Sequence, residues 1–129
     1  MATEILMNDG GAPARILPFT AGETLPAGYV CTMNSSGEID LADADHGDGY
    51  KHYAMGIVMD PATSGTICNL ITGRGVICKI QTAAGAAGRS LKLSSTDGQL
   101  EDNDAFGKVV AIRLETTTGS GLATCLTSY

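Results

Sequence analysis

The segment Asp43-Ala44-Asp45-His46-Gly47-Asp48-Gly49 holds the densest set of chemistry-bearing side chains in this sequence. Alternating aspartates in a loop can converge their oxygens on calcium. The segment departs from the EF-hand pattern where that pattern is strictest: Gly47 stands at position five, Asp48 where the sharp turn needs glycine, and Ala54 where the bidentate glutamate belongs. A solvated polar loop is therefore expected. His46 and His52 are the only histidines, and their spacing fits neither strand nor helix presentation of a zinc pair or a general base. No G-x-S-x-G nucleophile elbow occurs. Cys31, Cys68, Cys78 and Cys125 match no CxxC or zinc-finger spacing, and their apolar strand contexts raise thiol pKa, so they read as small core fillers. Gly73-Arg74-Gly75 lacks the Lys-Ser/Thr of a phosphate loop and lies between two strands instead of before a helix. The expectation is a protein that is not an enzyme, with no catalytic residue, no metal and no cofactor.

Charge narrows the partners. Against 14 acidic residues stand 8 basic ones, a formal net charge of −6, with no run of Lys or Arg to grip phosphates; nucleic acid is not an expected partner. No apolar stretch is long enough for a membrane-spanning helix, and Met1-Ala2-Thr3-Glu4 lacks the basic start and apolar run of a signal peptide, which points to synthesis in a cytoplasm and no membrane partner.

The elements that hold these residues are nearly all strands. The 129 residues suit one domain, and 17 glycines give nearly twice the usual share of about 7%, the mark of a turn-rich chain. From Phe19 onward, short β-branched or alternating runs recur between turn signals, and no apolar run keeps a helical period for long. Expected strands are Tyr29 to Asn34, Glu38 to Ala42, Tyr53 to Met59, Thr66 to Thr72, Val76 to Gln81, Ser90 to Ser94, Phe106 to Glu115 and Leu122 to Thr127. Thr72-Gly73-Arg74-Gly75 is expected to close a hairpin, since flanking glycines permit positive φ. Thr82 to Gly88, with two glycines among small residues, reads as a connection that another backbone approaches closely.

An internal repeat organises the chain. Ala27 to Met33 with the following Gly37 turn resembles Ala87 to Leu93 with Gly98; Tyr53 to Met59 aligns with Phe106 to Ile112, and Ser64 to Leu70 with Ser120 to Leu126. The fold expected is all-β, a compact β-barrel in a single domain built from two pseudo-repeated halves, about 21–72 and 82–129, each unable to cover its own apolar face. Acidic residues follow the same plan: Glu38, Asp40, Asp43, Asp45 and Asp48 lie after the first hairpin, and Asp97, Glu101, Asp102 and Asp104 after its counterpart. One strongly negative edge is expected. Residues 1–18 form an extended N-terminal arm. A solvated tail is normally polar, whereas this one carries Ile5, Leu6, Met7, Ile16 and Leu17, with Phe19 beyond. Either its own domain covers it, or it adds as a strand to a partner's sheet edge.

With these residues in view, the sequence resembles the small capsid decoration, or cement, proteins of tailed bacteriophages. The likeness covers about residues 19–129. It lies in Ala21-Gly22-Glu23-Thr24-Leu25-Pro26-Ala27-Gly28, the Gly37 turn, the aspartate loop, Met55-Gly56-Ile57-Val58, Gly65-Thr66-Ile67-Cys68, Gly75-Val76, Ala84-Gly85 and Ala87-Gly88. These are turns and core strands, not catalytic signatures. The resemblance implies a β-tulip-like fold, a homotrimer, a virion location on the capsid exterior, and stabilisation of the expanded head. It also implies an N-terminal segment that clamps the major capsid protein, a role that would fall within Thr3 to Phe19, on Ile5, Leu6, Met7, Arg15, Ile16, Leu17 and Phe19. The long Asp43-to-Lys51 loop departs from the shortest family members. The other reading is a host-surface or carbohydrate-binding β module, for which Tyr50, Tyr53 and Tyr129 are the available aromatic platforms.

Overall fold

The computed structural model describes residues 5–8, 14–44, 53–103 and 108–128, and among these no residue is helical. The strands are β1 (Leu6–Asn8), β2 (Arg15–Thr20), β3 (Val30–Met33), β4 (Ile39–Leu41), β5 (Gly56–Val58), β6 (Ile67–Thr72), β7 (Ile77–Thr82), β8 (Ser90–Leu93), β9 (Leu100–Asp102), β10 (Ala111–Arg113) and β11 (Gly121–Thr127). Period-two burial marks the strands that wall a core: Cys78, Ile80 and Thr82 on β7 are buried while Ile77, Lys79 and Gln81 lean outward, and Ala123, Cys125 and Thr127 repeat this on β11. By contrast β5, Gly-Ile-Val, is buried throughout, because both of its faces are covered.

Two sheets result, with orders β2-β6-β5-β3-β4 and β1-β7-β11-β10-β8-β9. In the second, a parallel pairing of Thr82 with Leu100 joins β7 to β9 and closes five strands into a small barrel. In the first, Ala21, just past β2, makes the equivalent parallel bridge to Ile39 of β4. Apart from the added β1, the sheets are one five-strand motif used twice: β2 to β6 correspond in order to β7 to β11.

Register fixes the correspondence residue by residue. Val30 opposite Ile57 and Cys31 opposite Gly56 recur as Ser90 opposite Ile112 and Leu91 opposite Ala111. Ile57 opposite Ile71 and Val58 opposite Leu70 recur as Ile112 opposite Leu126 and Arg113 opposite Cys125. Irregular contacts recur as well: Gly22 N donates to Ile39 O at 2.7 Å and Ala83 N to Leu100 O at 2.9 Å, while the Leu25–Ala62 bridge has its match in Gly85–Thr117. This corrects two alignments drawn from sequence. Ile57 corresponds to Ile112, two positions beyond the residue that sequence similarity matched, and Cys68 to Ala123, one position earlier. A one-residue slip would turn every β11 side chain to the wrong face, so hydrogen bonding overrides letter similarity.

The Gly73-Arg74-Gly75 turn has the expected positive φ at both glycines (129° and 81°), but it closes no hairpin. β6 and β7 lie in different sheets, and the turn carries the chain between them. It is held by β11 instead: Gly75 N donates to Thr127 O at 2.9 Å, Thr127 Oγ1 to Gly73 O at 2.8 Å and Val76 N to Thr127 Oγ1 at 2.9 Å. Six residues of register with β11 outweigh the short-range pairing that the turn alone would offer. The two acidic segments also read differently in space. Asp40 sits on β4 and Glu101 and Asp102 on β9, so these are strand residues, and the segments meet where Gly98 N donates to Ala42 O at 2.8 Å and Ala44 N to Ser94 O at 3.1 Å.

Two apolar clusters hold the halves. The smaller one fills the first half with Ala21, Leu25, Cys31, Ile39, Val58, Ala62, Cys68 and Leu70. The larger one is shared: Val30, Ile57 and Ile71 of the first half pack with Cys78, Ile80, Leu93 and Val110 of the second, and with Ile5 of the arm. Burying side chains of this size contributes roughly 1.5–3 kcal/mol each, so the halves stabilise one another.

Candidate interaction surface

The arm supplies a strand to each sheet. β1 pairs antiparallel with β7, Lys79 N donates to Ile5 O at 2.8 Å, and Ile5, only 2% exposed, belongs to the shared core. Leu6 is half-buried against that core and Met7 is exposed. β2 runs antiparallel to β6 from Arg15 opposite Thr72 to Thr20 opposite Ile67. Along it Arg15 and Leu17 are exposed, Ile16 is half-buried on the shared core and Phe19 half-buried on the smaller one. The candidate contact residues thus fall on different faces. Met7, Arg15 and Leu17 keep accessible side chains, whereas Ile5 is committed to the domain's own interior. Among the described residues, the other exposed large apolar side chains are Tyr53, Leu114 and Ile67, the last 65% exposed. Asp45, His46, Asp48, Tyr50, His52 and Tyr129 lie outside the described residues.

All four cysteines are free and buried. Burial pushes the Cys31 thiol well above its ordinary range, with Cys68, Glu23 and Asp40 adding to the effect, and pushes Cys78 and Cys125 up to about 12. Such thiols are protonated and poor nucleophiles at neutral pH.

One buried ionic group was not singled out from the sequence. Arg113 is fully buried inside the second barrel: Nη1 donates to Thr82 Oγ1 at 3.1 Å and Thr117 Oγ1 at 2.8 Å, and Nη2 to Ala83 O at 2.7 Å. Asp102 Oδ1 lies 3.6 Å from Nη2. A Cβ at Gly85 would meet Asp102 Oδ1 at 2.8 Å and Arg113 Nη2 at 3.0 Å, so glycine is what lets the connection lie over the pair. The small Thr82 to Gly88 segment is approached by backbone as its composition suggests: Gly85 N donates to Thr117 O at 3.0 Å and Thr117 N to Gly85 O at 2.9 Å. Sequence offered one signal for Arg113, a charged residue closing the apolar run Val109-Val110-Ala111-Ile112.

A cleft of about 450 Å³ opens beside the first half's equivalent bridge, lined by Leu25, Pro26, Pro61, Ala62 and Thr63 among others. Among the described residues, none of the side chains that line it is ionisable.

Comparison with solved structures places this arrangement. A phage head fiber base shares the fold. The N base of the head fiber protein gp8.5 of bacteriophage phi29 superposes with a TM-score of 0.64 over 90% of this chain and 95% of that one, at 16% sequence identity. At that identity the likeness is one of fold. No protein-family profile and no curated protein matches the chain.

Proposed function

We propose that this protein is a structural component of a tailed-phage head, bound to the capsid exterior, where it stabilises the expanded shell. The observation that carries the reading is the shared fold with a phage head fiber base over nearly the whole of both chains, joined by the sequence resemblance to capsid decoration proteins. The arm reaches the major capsid protein through Met7, Arg15 and Leu17, which are exposed among the described candidate positions. Stabilisation needs no catalysis: a protein that binds only the expanded state shifts the equilibrium toward it by mass action. On this reading the protein is not an enzyme, and its homotrimeric state on the head follows from the family resemblance.

The test is co-sedimentation with purified expanded heads of its own phage and with unexpanded proheads, followed by thermal melting of the decorated heads. Saturable binding to expanded heads with a raised melting temperature is expected. Absence of binding to either particle would overturn the proposal.

A further inference from the structure

The sequence holds no run of Lys or Arg, yet the fold gathers cations that stand far apart in the chain. Arg15 opens β2 opposite Thr72, whose hydroxyl donates to Arg15 O at 3.2 Å. Arg74 follows two residues after Thr72 in the crossover from β6 to β7, and its Nη2 donates to Ser128 O at 3.4 Å. Ser128 N in turn donates to Val110 O at 2.8 Å, two residues beyond Lys108. One series of hydrogen bonds thus sets residues 15, 74 and 108 around the same crossover, and all three are exposed. Asn8 opposite Ile77 brings Met7 to this end as well, and Leu17 stands two residues along β2 from Arg15.

Other cations are already matched. Lys79 pairs with Glu115 at 3.6 Å, Lys92 with Glu101 at 3.9 Å and Arg113 with Asp102 at 3.6 Å. Among the described residues, no carboxylate pairs with Arg15, Arg74 or Lys108. Carboxylates of the first half collect instead beyond the far end of β2. There Leu41 N donates to Glu23 Oε2 at 3.0 Å, and a Cβ at Gly22 would meet Glu38 Cβ at 3.2 Å and collide with Asp40 Oδ1. Gly22 lies about 20 Å along extended chain from Arg15. The first half is therefore polar along β2, with free cations at the crossover end and Glu23, Glu38 and Asp40 at the other.

We infer that the crossover end is the surface that faces the head, and that the patch it meets on the capsid protein is acidic. Carboxylates there would pair with Arg15, Arg74 and Lys108 beside apolar contacts for Met7 and Leu17. The inference rests on the capsid reading above and adds to it the chemistry of the partner, an orientation, and two residues outside the arm. The reverse orientation would set Glu23, Glu38 and Asp40 against like charge, which is unfavourable. Three cations with apolar side chains among them suit a protein surface, whose interfaces join an apolar centre to a polar rim, better than a phosphate backbone, which is gripped by longer basic tracts.

Co-sedimentation with expanded heads at about 0.1 M and about 1 M salt tests this, since the Debye length falls between them from about 10 Å to about 3 Å. The native chain should bind more weakly at the higher salt. At the lower salt Arg74→Glu and Lys108→Glu should each reduce affinity about fivefold or more, because reversing a rim charge sets like charges together. Arg89→Glu makes the same charge change at the other end of β7, where Arg113 N donates to Arg89 O at 2.9 Å and Arg113 Nη1 to Thr82 Oγ1 at 3.1 Å. It should alter affinity by no more than about twofold, as expected for a charge outside the contact. Circular dichroism melts close to the native curve establish that the variants are folded; where one is not, Arg74→Gln or Lys108→Gln replaces it, with a smaller loss in the same direction. Absence of head binding by the native chain fails the capsid reading, and this inference with it. Head binding that ignores salt, or Arg74→Glu and Lys108→Glu variants that bind as the native chain does, overturns this inference and leaves the capsid reading standing. Equal losses from all three reversals would reduce the effect to net charge and overturn it too. Salt-dependent retention of the native chain by duplex DNA or by phosphatidylglycerol vesicles, abolished by the same two reversals, would give this end to a phosphate-bearing partner instead.

Discussion

Val58 and Arg113 occupy the same place in the two halves. Gly28 N donates to Val58 O and Gly88 N to Arg113 O, both at 2.8 Å, and Leu70 and Cys125 stand opposite them. Around Val58 lie Ala21, Leu25 and Ala62; at the equivalent positions around Arg113 lie Thr82, Gly85 and Thr117. The replacements compensate one another. Leucine to glycine vacates the volume that the guanidinium fills, and alanine to threonine twice supplies hydroxyls that accept from it. A buried cation without such acceptors would be strongly unfavourable.

Coupling between Gly85 and Arg113 is the direct consequence. Gly85→Ala alone should destabilise by about 1–3 kcal/mol through overpacking. In an Arg113→Val background, where the guanidinium no longer blocks the Cβ or holds the Asp102 carboxylate against it, the same substitution should cost less. A double-mutant cycle by urea unfolding should show an interaction above about 0.5 kcal/mol; simple additivity would contradict the arrangement.

Removing the cation alone strands its partners. Arg113→Met leaves Asp102 without its countercharge and the Thr82 and Thr117 hydroxyls without their donor, and should lose toward the lower end of about 3–5 kcal/mol, because the Asp102 side chain is 32% exposed and keeps some access to water. Adding Asp102→Leu, the residue type at the equivalent Leu41, should recover part of that loss in the same unfolding measurement.

Gly28 and Gly88 share a φ of 85° yet differ in surroundings. A Cβ at Gly28 would collide with the Leu122 side chain and come within 3.3 Å of Lys79 O, whereas Gly88 has open space. Both alanine variants carry the left-handed backbone strain, about 1–2 kcal/mol. Gly28→Ala should lose a further 1–3 kcal/mol or so by overpacking, visible as the lower melting temperature of the two.

Alkaline pH should unfold the protein through its thiols. Cys78 and Cys125 have folded pKa values near 12 against a reference of 9.0, so the unfolded chain gives up these protons first. Stability from this source is complete below pH 9 and falls as pH rises from 9 toward 12. Urea midpoints at pH 8, 10 and 11 should decline, and a Cys78→Ala, Cys125→Ala variant should decline less steeply. Equal slopes would show that the thiols do not contribute.

Within the arm, Ile5 and Met7 should separate stability from binding. Ile5→Ala opens a cavity in the shared core and should cost about 2–5 kcal/mol. Met7→Ala, at an exposed position, should change stability by no more than about 0.5 kcal/mol while weakening attachment to expanded heads in the co-sedimentation assay.

Local chemistry in the sequence determined the all-β character, the eight strand positions from Tyr29 to Thr127, the burial of the four cysteines and the close backbone approach at Gly85. Alternation, turn residues and small side chains act over a few positions and leave their mark in the letters. The repeat was legible as a plan but not in its register: Ile57 and Ile112 share a position because both lie opposite equivalent residues of β6 and β11, which similarity of adjacent letters does not record. The strands β1, β2 and β9 are not legible in the sequence because they are short or interrupted by Pro18. Tertiary structure alone decided that the Gly73 turn passes between sheets, that Ile5 enters the core, and that Arg113 fills the place of a valine. Each depends on which surfaces meet after the chain closes, and pairings between strands some fifty residues apart are set by the summed burial and hydrogen bonding of both halves rather than by any one segment.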